Sequence, residues 1–264
     1  MKGRVLIIAG SDSGGGAGIQ ADIKAVTMLG GFAMTAITAL TAQNTEGVHG
    51  ILGIDPAFIR QQMQVVLRDI GADCLKTGML HSAEVIEAVA ATIEEEAAGV
   101  PLVVDPVMVA KGGAALLQNS AASALTDRMI PKATVLTPNL PEAEALTGLK
   151  VADLDGMRRA GAALLALGPR AVLVKGGHLE GPVLHDLLLT RDGERVFESR
   201  RIQTAHTHGT GCTLASAIAA GIAQGLAIAD AVARARDYVH RAIATAPGLG
   251  HGHGPLNHGH PLER

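Results

Sequence analysis

The chain has 264 residues, 48% hydrophobic and 18% charged, with a formal net charge of −3. That is enough apolar material for one sizeable core and too little clustered Lys and Arg for a nucleic-acid surface, so no nucleic-acid partner is expected. Two cysteines, Cys74 and Cys212, are too few for a disulfide framework and too far apart for a local metal clip, which fits a reducing cytoplasm. Met1–Val5 runs straight into a strand-like segment instead of a signal peptide, and no apolar run approaches the roughly 20 residues that span a bilayer.

In chain order, Val5–Ala9 reads as a short buried strand. It leads into the loop Gly10-Ser11-Asp12-Ser13-Gly14-Gly15-Gly16-Ala17-Gly18 and then into helical spacing over Gly18–Leu29. Further strand-like runs follow at Thr35–Ala39, Cys74–Thr77, Leu102–Asp105, Thr134–Thr137 and Ala171–Lys175. Helical spacing lies between them at Pro56–Ile70, Ala83–Ala97, residues 120–129 and Leu154–Leu167. Such alternation predicts right-handed crossovers and a mostly parallel sheet with helices on both faces. Between Leu187–Leu189 and Arg195–Phe197, the residues Arg191-Asp192-Gly193-Glu194 form a good hairpin turn, which predicts a small antiparallel edge. Helices over Thr213–Gln224 and Ala229–Thr245 close the pattern. With no repeat, linker or composition break, the expectation is one domain over residues 1–264, with 251–264 as a flexible tail.

The chemistry gathers where these strands end. The Gly10–Gly18 loop matches neither GxGxxG nor GxxxxGK[ST], so it reads as a ligand-contacting loop and not as a phosphate loop of either kind. Gln43 follows the second strand and offers an amide, donor and acceptor together, to a heterocycle. Asp105, Asn139 and Glu142 would gather oxygen ligands on one rim, where hydrated Mg²⁺ could be held with a nucleotide's phosphates. Lys175 offers a cation to phosphate oxygens. Taken singly, each is also what a cap, a turn or a solvated charge looks like. Parallel strands, however, deliver all their carboxyl ends to one rim, and the joint pattern favours phosphoryl transfer.

The segment Thr207-His208-Gly209-Thr210-Gly211-Cys212-Thr213 before the apolar run Leu214–Ala223 carries the most information. Its glycines let the backbone turn sharply onto a ligand. The first amides of the following helix make an anion site. A thiol at that place is expected to have its pKa pulled down, making it a proton acceptor or nucleophile. The alternative is a capped helix start with a small buried cysteine.

Together these segments resemble the hydroxymethylpyrimidine/phosphomethylpyrimidine kinases of thiamine biosynthesis, within the ribokinase-like superfamily. The resemblance also runs through Ile19-Gln20-Ala21-Asp22, Lys76-Thr77-Gly78-Met79-Leu80, Asp105-Pro106-Val107-Met108, Lys175-Gly176-Gly177-His178 and Gly250-His251-Gly252-His253-Gly254-Pro255. It implies a three-layer α/β sandwich, and a kinase that phosphorylates an aminopyrimidine alcohol and then its monophosphate, with ATP and Mg²⁺. Gln43 would bind the pyrimidine, with Gly10, Met79 and Val107 walling the pocket and Asp22 a weaker substrate-side candidate. Asn139, Glu142 and Lys175 would serve the nucleotide, and Asp105 and Glu142 the metal. Gly209, Thr210, Gly211 and Cys212 would cradle the transferring phosphoryl group, with Cys212 as base where many ribokinase relatives have Asp. A homodimer is also implied. The alternative enzyme is a pyridoxal kinase, which would use a similar slot and the same cysteine. Two departures from the family pattern stand out: no Pro in the stretch Ser11-Asp12-Ser13-Gly14, and His206 where Asn is common.

Overall fold

The computed structural model describes residues 1–108 and 121–263. The elements, in order, are β1 (Arg4–Asp12), α1 (Gly18–Met28), β2 (Phe32–Gln43), β3 (Val48–Gly53), α2 (Pro56–Asp69), β4 (Cys74–Thr77), α3 (Ala83–Glu96) and β5 (Leu102–Val104). There follow α4 (Ala121–Ala124), β6 (Val135–Leu136), α5 (Leu140–Thr147), α6 (Leu154–Ala166), β7 (Ala171–Lys175), β8 (Val183–Thr190), β9 (Gly193–Arg200), α7 (Thr210–Ala223) and α8 (Ile228–Ala244). The strands form one nine-stranded sheet in the order β3-β2-β1-β4-β5-β6-β7-β8-β9. From β2 to β7 every pairing is parallel. Antiparallel strands close both edges, β3 beside β2 and β8–β9 beside β7.

Side chains alternate across this sheet with the period of two that a strand imposes. Leu6, Ile8, Leu75, Leu102 and Val104 face one core with residues of α2, α3 and α6. Val5, Ile7, Cys74, Val103 and Leu173 face the other with α1, α7 and α8. Because both faces are covered, the central strands are apolar on both sides and read as continuous hydrophobic runs. The chain steps outward from β1 to β2 and then returns to place β4 on the other flank of β1. The order therefore reverses between β1 and β4, and open α/β sheets bind ligands at such a point, beyond the strands' carboxyl ends.

Four features differ from the sequence reading. The sequence pattern missed β3, a mostly exposed strand with Gly50 and Gly53 and no alternation, so the sheet has two antiparallel edges. It also missed α5, whose start was read only as a strand end. The helix expected over 120–129 is α4 followed by a π turn at Leu125–Met129 and a 3-10 turn at Ile130–Lys132; Ser120 lies outside the described residues. Residues 251–263, expected to hang loose, instead lie against the body. Leu256 and His258 are buried, the Tyr238 hydroxyl donates to the His258 carbonyl at 2.7 Å, and His258 Nε2 is 2.9 Å from Thr213 Oγ1.

Candidate active site

The carboxyl ends of the strands and the start of α7 enclose a cavity of about 900 Å³. Every residue given a catalytic, substrate, nucleotide or metal role from the resemblance lines it except Asp22.

At its centre is the turn before α7. Gly209 sits at φ 79°, a conformation that favours glycine, and a Cβ there would collide with the Gly16 carbonyl oxygen. Thr210 Oγ1 donates to the Thr207 carbonyl at 2.7 Å, which fixes the turn. Gly209 offers no side chain to cap α7 and the first turn holds no acidic residue, so its leading amides have no built-in carboxylate. Leading amides without a carboxylate cap are what an anion site at a helix start requires. The thiol expectation is corrected, however. Burial pushes the Cys212 pKa up to about 12, and the Lys76 ammonium and the Gly18 amide offset only part of it. Cys212 therefore rests as a neutral thiol.

On one side of the turn, the first loop folds around a carboxylate. Asp12 Oδ1 accepts from the Gly14 amide at 2.8 Å; its Oδ2 accepts from the amides of Ala17 at 2.8 Å and Gly16 at 3.1 Å. His208 Nε2 lies 2.8 Å from the same Oδ2. Burial raises the Asp12 pKa, but His208 and these amides outweigh it and hold the carboxyl below its ordinary range. Gln43 reaches into the cavity here. Its Oε1 accepts from Thr41 Oγ1 at 3.1 Å, and its amide nitrogen is 3.3 Å from His208 Nε2.

On the other side, Lys175 Nζ donates to Asp105 Oδ1 at 3.0 Å, and Thr137 Oγ1 donates to the same oxygen at 3.0 Å. Burial alone would lower the Lys175 pKa, but Asp105 and Glu142 hold it above the ordinary range. Asn139 and Glu142 form a capping box on α5: Glu142 N donates to Asn139 Oδ1 at 2.9 Å and Asn139 N to Glu142 Oε2 at 2.8 Å. Burial, joined by the Asp105 charge, raises the Glu142 pKa to about 7 although Lys175 pulls it down.

Asp22 does not reach the cavity. It is fully buried under α7, accepting from Lys76 Nζ at 2.9 and 3.0 Å and from Ser216 Oγ at 2.7 Å. Lys76 does line the cavity, and sequence reading passed over it. So it did Asp12 and His208, and the pair Asp186–Arg236, joined at 2.7 Å at the β8 side. The available signal was a lysine inside the otherwise apolar strand pattern Cys74–Thr77.

Residues 12–257 match the family model described as phosphomethylpyrimidine kinase. The chain belongs to that family. It is 50% identical to the hydroxymethylpyrimidine/phosphomethylpyrimidine kinase of Streptomyces coelicolor, covering 98% of this chain and 95% of the relative. It is 53% identical over 97% of its length to the thiamine biosynthesis bifunctional protein ThiED of Geobacter sulfurreducens, but spans only 52% of that protein. Among solved structures, the pyridoxal kinase of Staphylococcus aureus in complex with AMP-PCP and pyridoxal superposes with a TM-score of 0.91 at 33% identity, covering 100% of this chain and 96% of that one. The fold is thus ribokinase-like, and the family's members are kinases of thiamine biosynthesis.

Proposed function

We propose that this chain uses ATP to phosphorylate 4-amino-5-hydroxymethyl-2-methylpyrimidine and then the resulting monophosphate, ending at the diphosphate. One observation carries the reading. A single cavity sets the uncapped α7 turn between an amide-bearing slot at Gln43 and the cation-and-carboxylate cluster of Lys175, Asp105 and Glu142. That is the arrangement an acceptor, a transferring phosphoryl group and a nucleotide's phosphates require.

In the first step the hydroxymethyl oxygen forms a bond to the γ-phosphorus, the bond to the β,γ-bridging oxygen breaks, and the alcohol's proton is lost. In the second, an oxygen of the bound monophosphate attacks, and no proton has to leave. Catalysis of such transfers is mostly positioning and charge stabilisation. The amides of residues 209–212 would hold the transferring group, and Lys175 the nucleotide's phosphates. Gln43 would read the pyrimidine edge, with Gly10, Met79 and Val107 as walls. Cys212 would sit where the attacking oxygen loses its proton in the first step.

Mg²⁺ fits the donor set. Asp105 and Glu142 are hard oxygen donors; burial first, and the Asp105 charge after it, raise the Glu142 pKa. Among the described residues no group of three or more His, Cys, Asp or Glu could hold a metal alone, so phosphate oxygens would complete its shell. When bound, the ion would neutralise phosphate charge.

A homodimer belongs to the same reading. Leu52 of β3 and Phe58 and Val65 of α2 are exposed apolar residues that a second copy would cover. The site of action would be the cytoplasm; among the described residues no helix is long and apolar enough to cross a membrane.

A pyridoxal kinase is the second reading, favoured by the close superposition on the Staphylococcus aureus enzyme. ADP release measured with the hydroxymethylpyrimidine, its monophosphate and pyridoxal separates the two. Turnover of both pyrimidines with pyridoxal far slower supports the first reading; turnover of pyridoxal alone overturns it.

A further inference from the structure

Lys76 is a charged side chain with no exposed surface, yet it stands on the cavity wall. Its partner Asp22 is equally buried, and Ser216 holds the same carboxylate. A buried ion pair is a poor way to gain stability, because apolar residues of like volume commonly do as well. Asp22 takes at most two of the three N–H donors of Lys76. Gly78, also on the wall, carries no side chain where a Cβ would come within 2.9 Å of Lys76 Nζ.

The helix geometry says what lies next to this ammonium. Cys212 and Ser216 are four residues apart on α7, so they share one face of the helix. Ser216 meets the Lys76–Asp22 pair, and Cys212 lies one turn nearer the helix start on the same face. Lys76 Nζ lies beside Gly78, which packs on Ala9, on the wall that also carries Gly10 and Met79, the acceptor side of the cavity, whereas Lys175 donates to Asp105. Among the described residues that line the cavity, Lys76 and Lys175 are the lysines.

We propose that Lys76, aimed by Asp22 and Ser216, is the cation that binds the acceptor's phosphate in the second phosphorylation. The proposal rests on the two-step reading above. The first acceptor is a neutral alcohol and the second a phosphate anion, and one pocket must take both. An ammonium already neutralised by a carboxylate does not demand an anion in the first step. It still presents a charge-assisted donor to one in the second. That step is balanced without any further group: a phosphate oxygen of the monophosphate bonds to the γ-phosphorus, the bridging bond breaks, and its electron pair leaves with ADP. Asp22 and Ser216 are positioning residues.

The test is steady-state kinetics of both steps in the Lys76→Met/Asp22→Asn double variant, which leaves no lone buried charge. Lys76 and Asp22 act on Cys212 with opposite signs, so removing both disturbs the thiol less than removing either alone. The expected result is a loss of kcat/KM on the monophosphate about 10- to 100-fold greater than on the alcohol, since a hydrogen bond to a charged group is lost only there. Ser216→Ala, which keeps both charges, should show a smaller loss with the same bias and serves if the double variant does not fold. Equal losses on the two acceptors, or a larger loss on the alcohol, overturn the role of Lys76. A wild-type protein that turns over neither pyrimidine overturns the two-step reading itself, and the role of Lys76 with it.

Discussion

His208 and Asp12, 196 residues apart in sequence, meet with Nε2 2.8 Å from Oδ2 and so tie the loop after β1 to the turn before α7. The contact is nearly closed to solvent, with side-chain exposures of 12% and 3%. It joins the wall of the acceptor slot to the amides that would hold the transferring phosphoryl group.

Removing the carboxylate should therefore loosen both halves. Asp12→Asn weakens the hold on the Gly14, Gly16 and Ala17 amides and on His208, at a cost of about 1–3 kcal/mol for buried bonds to a charged group. The Asp12 carboxyl titrates below its ordinary value of 3.8 in the folded chain. A depressed pKa means its stabilisation is present above that value and is lost as pH falls through the folded pKa. Urea midpoints measured from pH 6 down to pH 3 should fall more steeply for wild type than for Asp12→Asn. Parallel curves would show that this carboxylate carries no such linkage.

The backbone at Gly209 makes a separate test of the turn. Gly209→Ala combines a left-handed φ with a collision against the Gly16 carbonyl, so the first loop and the α7 turn must separate. Strain alone costs roughly 1–3 kcal/mol. Misplaced amides should lower kcat by about 100-fold, the scale for losing one such donor. Gly225→Ala is the control: φ is also positive, at 87°, but nothing lies within 4 Å of its Cβ. It should lose stability and keep kcat. Equal kcat in the two variants would remove the turn from the chemistry.

How much of this site is legible in the sequence follows from what each residue does locally. The glycines, Lys175, Asp105 and Gln43 stand at strand ends and turns, where polar side chains break an apolar pattern and can be seen. Asn139 and Glu142 were visible too, but the spacing that marks them is equally an N-cap three residues before a helical Glu, and the chain uses it as one. Lys76 and Asp22 were hidden or misplaced because their meaning depends on a partner 54 residues away. The core strands were legible from their apolar runs. The exposed β3 has no such signal, and its place comes only from pairing with β2.

Cys212 predicts a pH dependence confined to one step. Because burial holds its pKa at about 12, little thiolate exists near neutrality in the free protein. If Cys212 takes the alcohol's proton, kcat for the first step should climb from pH 7 to pH 9 without levelling off, while the second step, which loses no proton, should not climb with it. Cys212→Ala should flatten the first profile and damage the first step more than the second. Iodoacetamide should modify Cys212 slowly at pH 7.5 and faster as pH rises. Rapid modification at pH 7.5 would mean that the thiol is activated after all.

Glu142 predicts the opposite sign to Asp12. Its folded pKa of about 7 stands above the ordinary 4.5, so the protonated carboxyl is the form the fold favours. That contribution is fully present below 4.5 and is lost as pH rises through 7. Glu142→Gln keeps the shape, and its side-chain oxygen can still accept from the Asn139 amide. Its Tm should match wild type at pH 5 and exceed it above pH 7.5, by the equivalent of about 1–3 kcal/mol. Added Mg²⁺ should raise the Tm of wild type at pH 8 by more than that of the variant, because only wild type presents a second carboxylate beside Asp105. Kinase activity should fall in the variant even as stability rises. A variant less stable than wild type at both pH values would show that Glu142 serves only its helix cap.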